Sequence, residues 1–484
     1  MERINESSCK EVFDLFQQLN QVPRASHHEE KVSEWLVSFA KEHDLEVIQD
    51  EALNVIIKKP GTEGYEDSET IILQGHMDMV AEKAEGSDHD FSKDPIEFIV
   101  DGDFVRANNT TLGADNGIAV AYALAILVSE DIPHPPLEVL ITTNEENGMD
   151  GAFALDPSHL QGRRLINIDS EVEGELLVSC AGGIGSVTSL PISKKSASLN
   201  TVVEIKATDF IGGHSGLEIN KQRGNATQIL ARILRDTAKD MEFELVSIDG
   251  GSKHNAIPRN AMAKICVAEE NVSKLEELAQ EWTQTIETEF HNIENGAKIV
   301  VSQLDETIEE VMDQDTRDKA LAIICLTPTG IVNMSTDIEG LVQTSNNLGV
   351  VTTHDDKVTF ESTTRSSVRT MKFDIAGRIE QIADALGATV EFDQGYPEWQ
   401  FAQESKLRDV FAEAYKEQYG KDPVITAIHA GLECGVFSEK FDGKIDLVSF
   451  GPNLFEVHTA GEKMDIASVE RTYDHLKLAL SKLK

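Results

Sequence analysis

The sequence predicts an α/β fold built on a mixed, mostly parallel sheet, followed by an α+β domain. Three observations carry this. Between about Glu46 and Ile168, short apolar runs alternate with helical runs, the pattern of strands joined by crossover helices. From about Gly182, strands of period-two alternation interleave with amphipathic helices. In the first region, His, Asp and Glu collect just after the apolar runs, where open α/β sheets form their ligand crevices.

The elements follow in order. Apolar residues at helical spacing predict helices over Glu11–Leu19 and Glu29–Glu42, punctuated by Val22-Pro23-Arg24. Glu46–Ile48 and Asn54–Lys58 read as a hairpin, and Thr70–Leu73 as a buried strand running into a glycine. Phe104–Ala107 is a short strand. Leu112–Gly117 is a turn feeding the apolar helix Ile118–Val128, and Leu137–Thr142 and Arg164–Ile168 are strands. Beyond Gly182, strands are predicted at Val187–Leu190, Thr201–Ala207, Ala261–Val267, Thr352–Phe360, Ser367–Asp374 and Thr389–Gln394, with helices at Ala226–Thr237 and Val272–Glu287. Gly395-Tyr396-Pro397-Glu398-Trp399 marks a boundary. The helix Lys406–Tyr419, the strands Val424–Ile428 and Ile445–Phe450 and the helix Ile466–Leu483 close the chain. The expected domains are therefore 1–181, 182–395 and 396–484.

Charge narrows the function. Against 43 Lys and Arg stand 85 Asp and Glu, a net charge of −42. Phosphate backbones and anionic membrane surfaces repel such a chain, so neither nucleic acid nor membrane is an expected partner. The longest apolar run, Ile118–Val128, falls well short of the ~20 residues that span a bilayer. No signal peptide is legible in MERINESSCKEVFDLF. Cys9, Cys180, Cys266, Cys325 and Cys434 are scattered, with no CxxC pair, which suits reduced thiols and a cytoplasmic location.

Five segments carry the chemistry. In Gln74-Gly75-His76-Met77-Asp78, His76 and Asp78 are two apart on an extended run and share a face. His76 can bind a metal through one ring nitrogen while Asp78 receives the proton on the other. Asp115, in Gly113-Ala114-Asp115-Asn116-Gly117, opens the apolar helix. It is either that helix's N-cap or a carboxylate bridging two cations. Glu145 and Glu146 follow the strand Leu137–Thr142. Adjacent residues there point apart, so one can ligate while the other faces substrate as a base. Asp169 follows Arg164–Ile168, and Gly451-Pro452-Asn453 through His458 follows the last strand. Each alone is ordinary loop chemistry; together they line one sheet edge. His76, Asp115, Glu146, Asp169 and His458 supply one bridging and two terminal ligands for each of two ions. Such mixed imidazole and carboxylate donors suit zinc, cobalt or manganese. Glu145 is left as a base, and a two-metal site with a base is equipment for amide hydrolysis.

These segments resemble the M20 metallopeptidase family and, within it, the aminoacyl-histidine dipeptidases. The carriers are His76-Met77-Asp78, Gly113-Ala114-Asp115-Asn116-Gly117, Asn144-Glu145-Glu146, Ile168-Asp169-Ser170 and Ser449-Phe450-Gly451-Pro452-Asn453 with His458. Ile211-Gly212-Gly213-His214-Ser215-Gly216 and His254-Asn255-Ala256-Ile257-Pro258-Arg259 add to them. The resemblance runs from Val22-Pro23-Arg24 to the C-terminus. It implies that His76 and Asp169 hold one divalent ion, Glu146 and His458 the other, and that Asp115 bridges. Asp78 would orient His76, and Glu145 would be the general base. It also implies a catalytic domain split by an inserted lid, here 182–395.

Lid residues then become candidates for binding a small peptide. His214 would stabilise the oxyanion. Asn255 would hydrogen-bond the substrate, and Arg365 would grip its C-terminal carboxylate. His429 and Gly431, in His429-Ala430-Gly431-Leu432-Glu433, match a family segment near that carboxylate. The expected reaction is hydrolysis of dipeptides, Xaa-His and β-Ala-His among them. The alternatives are an N-acyl amino acid deacylase, an aminopeptidase, or a binding protein on a retired peptidase fold. The resemblance leaves two oligomeric expectations, a homodimer through the lid or a lid large enough to replace the partner. The remaining histidines, His27, His28, His43, His89, His134, His159, His291, His354 and His475, are expected at the surface.

Overall fold

The computed structural model describes residues 2–484, which form two compact units. The first comprises Met1–Ser179, Phe401–Ala427 and Leu432–Lys484; the second comprises Cys180–Gln400 and Ile428–Gly431. The second unit thus also takes four residues from beyond Gln400, a segment with no boundary signal in its composition.

The first unit is built on an eight-stranded mixed sheet. Its strands run in the spatial order Glu46–Gln49, Val55–Lys59, Leu137–Thr142, Ile71–His76, Arg164–Asn167, Asp446–Ser449, Glu175–Cys180 and Val424–Ile428. The four central strands, from Leu137–Thr142 to Asp446–Ser449, pair in parallel. The neighbours on either side are antiparallel. The central strands are almost wholly buried, which is why they read as continuous Ile, Leu and Val runs. Their register sets His76 opposite Thr142, Gln74 opposite Asn167, and Asn167 opposite Ser449. All four therefore end along one edge of the sheet.

The helix Ala114–Val128 packs on Ile71–His76 and on the helix Lys10–Leu19. It is apolar on every side because it is buried on every side. Tyr122 stacks on Tyr473 of the final helix, Ile466–Lys482, with ring centroids 5.4 Å apart, and its hydroxyl donates to the Val469 carbonyl at 2.9 Å. No described helix is long and apolar enough to cross a membrane.

The second unit holds a larger, antiparallel sheet. From edge to edge it runs Lys298–Leu304, Thr201–Thr208, Ala261–Val267, Glu244–Gly250, Val342–Thr353, Lys357–Ser366, Gly182–Pro191 and Thr389–Phe392, with Gly330–Met334 paired beside Val342–Thr353. The helices Ala226–Thr237, Val272–Glu289, Gln314–Leu326 and Arg369–Leu386 share one apolar core with it.

Two expected strands are corrected. Thr352–Phe360 is not one strand. It spans the turn between Val342–Thr353 and Lys357–Ser366, because His354-Asp355-Asp356 breaks the apolar alternation. Ser367–Asp374 is not a strand but the start of the helix Arg369–Leu386. Its short run of alternating apolar residues mimics a strand, whereas Ile375, Ala376, Ile379 and Ala383 take up the helical period further on.

Gly451 has one allowed identity. A β-carbon there would sit 1.7 Å from the Ser170 carbonyl oxygen, so the loop after Asp446–Ser449 lies against the loop after Arg164–Asn167. Gly377, inside the helix Arg369–Leu386, has nothing within 4 Å of its β-carbon position. Gly451→Ala is therefore expected to lower stability by about 4 kcal/mol or more, through backbone displacement. Gly377→Ala is expected to raise it by about 0.5–1 kcal/mol. Urea midpoints of the two variants against the parent check both signs.

Candidate metal centre

Most of the candidate groups of the first unit sit at or just beyond the ends of its parallel strands. His76 is the last residue of Ile71–His76, and Glu145 and Glu146 follow Leu137–Thr142. Asp169 follows Arg164–Asn167, and His458 lies on the loop after Asp446–Ser449. Asp115 comes from the start of Ala114–Val128. There Gly113 has φ 68°, and a β-carbon would meet the Arg24 guanidinium at 2.4 Å. His458 itself has φ 60°, in the left-handed region, and its side chain is half exposed.

The carboxylate of Asp115 lies between two imidazoles. His76 Nε2 is 3.2 Å from its Oδ1, and His458 Nε2 is 3.0 Å from its Oδ2. Asp169 Oδ1 is 3.5 Å from His76 Nε2, and Glu146 Oε2 is 3.0 Å from His458 Nε2. Two triplets result, His76–Asp115–Asp169 and Asp115–Glu146–His458, each with one donor atom per residue and all within 4.8 Å of one another. Asp115 belongs to both. Glu145 stands beside the first triplet, its Oε2 4.0 Å from His76 Nε2.

These groups shift one another strongly. Burial alone would lower His76, but the Asp169 charge and the contacts with Asp115 and Asp78 outweigh it and hold the imidazolium well above its usual range. Hydrogen bonds to Asp115 and Glu146 raise His458 to about 11. Burial raises Asp169 to about 6. Burial, with Asp169, Glu433 and Glu146 adding to it, lifts Glu145 well above the carboxylate range. Asp115 stays low in spite of burial, through its bonds to both imidazoles. The acids thus favour neighbouring positive charge, and Glu146 Oε1 is buried with no hydrogen-bond partner. Three carboxylates and two imidazoles so arranged fit a pair of divalent cations.

A second layer of residues holds these groups. Asp78 Oδ1 lies 3.3 Å from His76 Nδ1, which turns Nε2 toward the cluster. Asp78 also accepts from Ser26 Oγ at 2.8 Å and from the Glu145 amide at 3.1 Å. Glu462, 2 % exposed, accepts the backbone N–H groups of Leu112, Gly113 and Ala114 at 2.7–2.9 Å and so fixes the turn that presents Asp115. Arg24, 1 % exposed, donates to the carbonyls of Met77 and Gly113 and to Asn20. Asn116 Oδ1 accepts from the His76 amide, and its Nδ2 donates to the Ile168 carbonyl. Glu462 is the acid of this layer that sequence reading misses. It is a lone acid in a polar loop some 350 residues from its partners, with no local signal.

The five remaining candidates gather in the second unit. Gly213 and His214 pair with Ile257 and Ala256, and the Asn255 carbonyl accepts the Ser215 amide at 2.9 Å, so Asn255 sits beside the His214 loop. A β-carbon on Gly216 would lie 2.6 Å from the His429 carbonyl, 3.0 Å from the His214 ring and 3.1 Å from Arg365 Nε. Arg365 is buried, donates to the Tyr396 hydroxyl and leaves Nε unpartnered. Gly431 lies against the Tyr396 ring. His214 Nδ1 accepts the amides of Gly216 and Leu217 at 3.2 and 3.0 Å, so the neutral ring carries its proton on Nε2. Burial, helped by Arg365, keeps His214 below its usual pKa and lowers His429 to about 3.

Two histidines expected at the surface are buried. His134 Nδ1 bonds the Pro135 carbonyl at 2.7 Å. His475 bonds the Phe411 carbonyl at 2.9 Å and packs edge-on against Phe411, Tyr415 and Phe450. The signal for His475 was its place beside Thr472, Leu476 and Ala479 on the apolar face of the last helix.

Comparison with known proteins gives the family. Residues 72–482 match the model of Peptidase family M20/M25/M40. The chain is 37% identical over 470 residues to the cytosol non-specific dipeptidase of Escherichia coli, covering 97% of this chain and 96% of that one. The crystal structure of aminoacylhistidine dipeptidase from Vibrio alginolyticus superposes with a TM-score of 0.93 at 38% identity, over 99% of this chain and 98% of that one. Aminopeptidase PepT from Bacillus cereus shares the fold, with a TM-score of 0.57 at 16% identity over 99% of each chain. The chain belongs to Peptidase family M20/M25/M40 and is a peptide hydrolase.

Proposed function

We propose that the protein is a two-metal dipeptidase that cleaves small peptides, Xaa-His and β-Ala-His dipeptides among them. The observation that carries this reading is Asp115, one carboxylate shared by two ligand triplets. His76 and Asp169 would hold one ion, Glu146 and His458 the other, with Asp115 common to both. Zinc is the favoured metal, and cobalt or manganese also suit the donors. When bound, the ion pair supplies Lewis acidity that polarises a carbonyl and acidifies water. The names of the relatives in Escherichia coli and Vibrio alginolyticus support dipeptides as the substrate class.

The chain's own residues do the rest. Glu145 is the general base, taking the proton of the attacking water and returning it to the leaving amine nitrogen. Its raised pKa in the ion-free chain comes from burial among acids, and neighbouring positive charge reverses that. Asp78 holds His76 in one tautomer. In the second unit, His214 has an Nε2–H free to donate to a developing oxyanion, because its Nδ1 is already an acceptor. Arg365 is the group to grip the substrate's terminal carboxylate, with Asn255, His429 and Gly431 shaping the place.

Dipeptides from Ala-His and β-Ala-His to Ala-Ala, with an N-acetyl amino acid beside them, test the reaction class. Chelator-sensitive cleavage of the dipeptides is expected; cleavage of the acetylated compound alone would move the activity to deacylation. Glu145→Gln should retain both ions and lower kcat about 10²–10⁴-fold. Metal analysis beside steady-state kinetics separates that outcome from loss of the site. Arg365→Ala should cost about 1.5–3 kcal/mol in kcat/KM on a free dipeptide and much less on its C-terminal amide.

Metal binding should follow pH with a definite sign. His458 near 11 and the raised His76 are protonated in the ion-free chain at neutral pH, and ligation requires both neutral. Binding therefore releases protons, and affinity should rise from pH 6 to pH 8. Calorimetry in two buffers of different ionisation enthalpy measures the release; a buffer-independent enthalpy would contradict it.

A further inference from the structure

One further carboxyl group of the first unit is neither a candidate ligand nor the base. Glu433, at the start of the helix Glu433–Lys440, is 0 % exposed. Its Oε2 accepts Gln74 Nε2 at 2.5 Å and Thr142 Oγ1 at 2.9 Å. Gln74 Nε2 also reaches Thr142 Oγ1 at 3.2 Å, and Gln74 Oε1 accepts Asn167 Nδ2 at 2.6 Å. Gln74, Thr142 and Asn167 are themselves wholly buried.

The placement of these partners is what matters. Gln74 lies two residues before His76 on the same strand and therefore shares its face. Thr142 ends the strand that leads into Glu145 and Glu146, and Asn167 ends the strand that leads into Asp169. The polar network thus joins the three neighbouring strands that deliver those residues to the sheet edge. An apolar side chain would fill the same space without the cost of burying a carboxyl group. Glu433 Oε1 has no partner, so that cost is not fully offset by hydrogen bonds. Burial, and secondarily the Asp169 charge, raises its carboxyl to about 8.

We infer that Glu433 is a positioning residue of the metal centre, whose carboxyl, directly through Gln74 and Thr142 and indirectly through the Gln74–Asn167 bond, ties together the strand ends leading to His76, Glu145, Glu146 and Asp169. The inference rests on the two-ion reading. Its mechanism is indirect. Slack in the strand ends shifts donor atoms relative to one another, and outer partners of metal ligands typically carry 10–100-fold in metal affinity or activity.

Two substitutions separate this from a packing role. Glu433→Gln keeps a carbonyl oxygen that can accept both bonds. Glu433→Met keeps the length and removes the acceptor. The probe is cobalt(II), followed by equilibrium dialysis and by its visible absorption, with thermal melting alongside. Glu433→Gln should bind two ions per chain with affinity, spectrum and kcat within about threefold of the parent. Glu433→Met should bind cobalt about 10–100-fold more weakly and show an altered spectrum. At saturating metal it should lose kcat at least about tenfold with KM within twofold.

Parent-like affinity and spectrum in Glu433→Met, whatever its melting temperature, would overturn the inference. Equal loss in the Gln and Met variants would overturn it too. If Glu433→Met does not fold, Thr142→Val removes one donor from the network and should shift affinity and spectrum in the same direction; a parent-like result there is again contrary. A parent chain that binds no cobalt would sink the two-ion reading itself, whereas a parent binding two ions beside an unaffected Met variant sinks only the role of Glu433.

Discussion

A single carboxylate held between two imidazoles organises the first unit. Asp115 gives one oxygen to His76 and the other to His458, and Asp169, Glu146 and Glu145 crowd around the pair. Like charges at this spacing, with little water, cannot all stay ionised. The inner group therefore draws positive charge from wherever it is available. In the ion-free chain the same crowding raises His76, His458 and Glu145 above their usual ranges. The acids one layer out are satisfied differently. Glu462 takes the amides of the Asp115 turn, Asp78 takes Ser26 and the Glu145 amide, and Glu29 takes the amides of His27 and Asn144. Backbone amides and the Ser26 hydroxyl bond these three outer acids, and the inner ones are left for cations.

The parallel centre of the sheet makes such crowding possible. Residues far apart in the chain arrive side by side because Arg164–Asn167 and Asp446–Ser449 are parallel neighbours with Asn167 opposite Ser449. The loops beyond them touch at Gly451, whose missing side chain admits the Ser170 carbonyl. An antiparallel neighbour would have sent its outgoing loop to the opposite edge. His458 can then double back to Asp115 in a left-handed backbone conformation.

Much of this was legible in the sequence, and the residues show why. His76, Asp115, Glu145, Glu146 and Asp169 each follow an apolar run or open one, so local pattern exposes them. Glu462, Glu433 and Tyr396 have no such frame. Each acts through partners far away in sequence, and only the folded chain brings those together. The start of the helix Arg369–Leu386 reads as a strand because Met371 and Phe373 alternate with Lys372 and Asp374. His475 was misread because a histidine bonded to a backbone carbonyl is as well suited to a core as to a surface.

The histidines of the two units differ in their electrostatic surroundings. In the first, carboxylates dominate the candidate centre and every imidazole there is driven toward its protonated form. In the second, the same residue type is driven the other way: His214 and His429 are held neutral, burial leading and Arg365 adding to it. A neutral His214 that already accepts two amides through Nδ1 has one thing left to offer, a proton donor at Nε2. The neighbouring Arg365 is buried with Nε unpartnered, stacked near Tyr396 with its ring centroid 6.0 Å away. On the proposed reading, a fixed cation beside neutral imidazoles, with glycines at 216 and 431 instead of side chains, would receive an anion and a polarised oxygen. A dipeptide has both, a carboxylate and the carbonyl of its one peptide bond, and an N-acetyl amino acid has them at the same separation. On the proposed reading the choice between dipeptidase and deacylase therefore lies outside these contacts. That choice falls to whatever meets the free amino group, which the acetylated compound lacks.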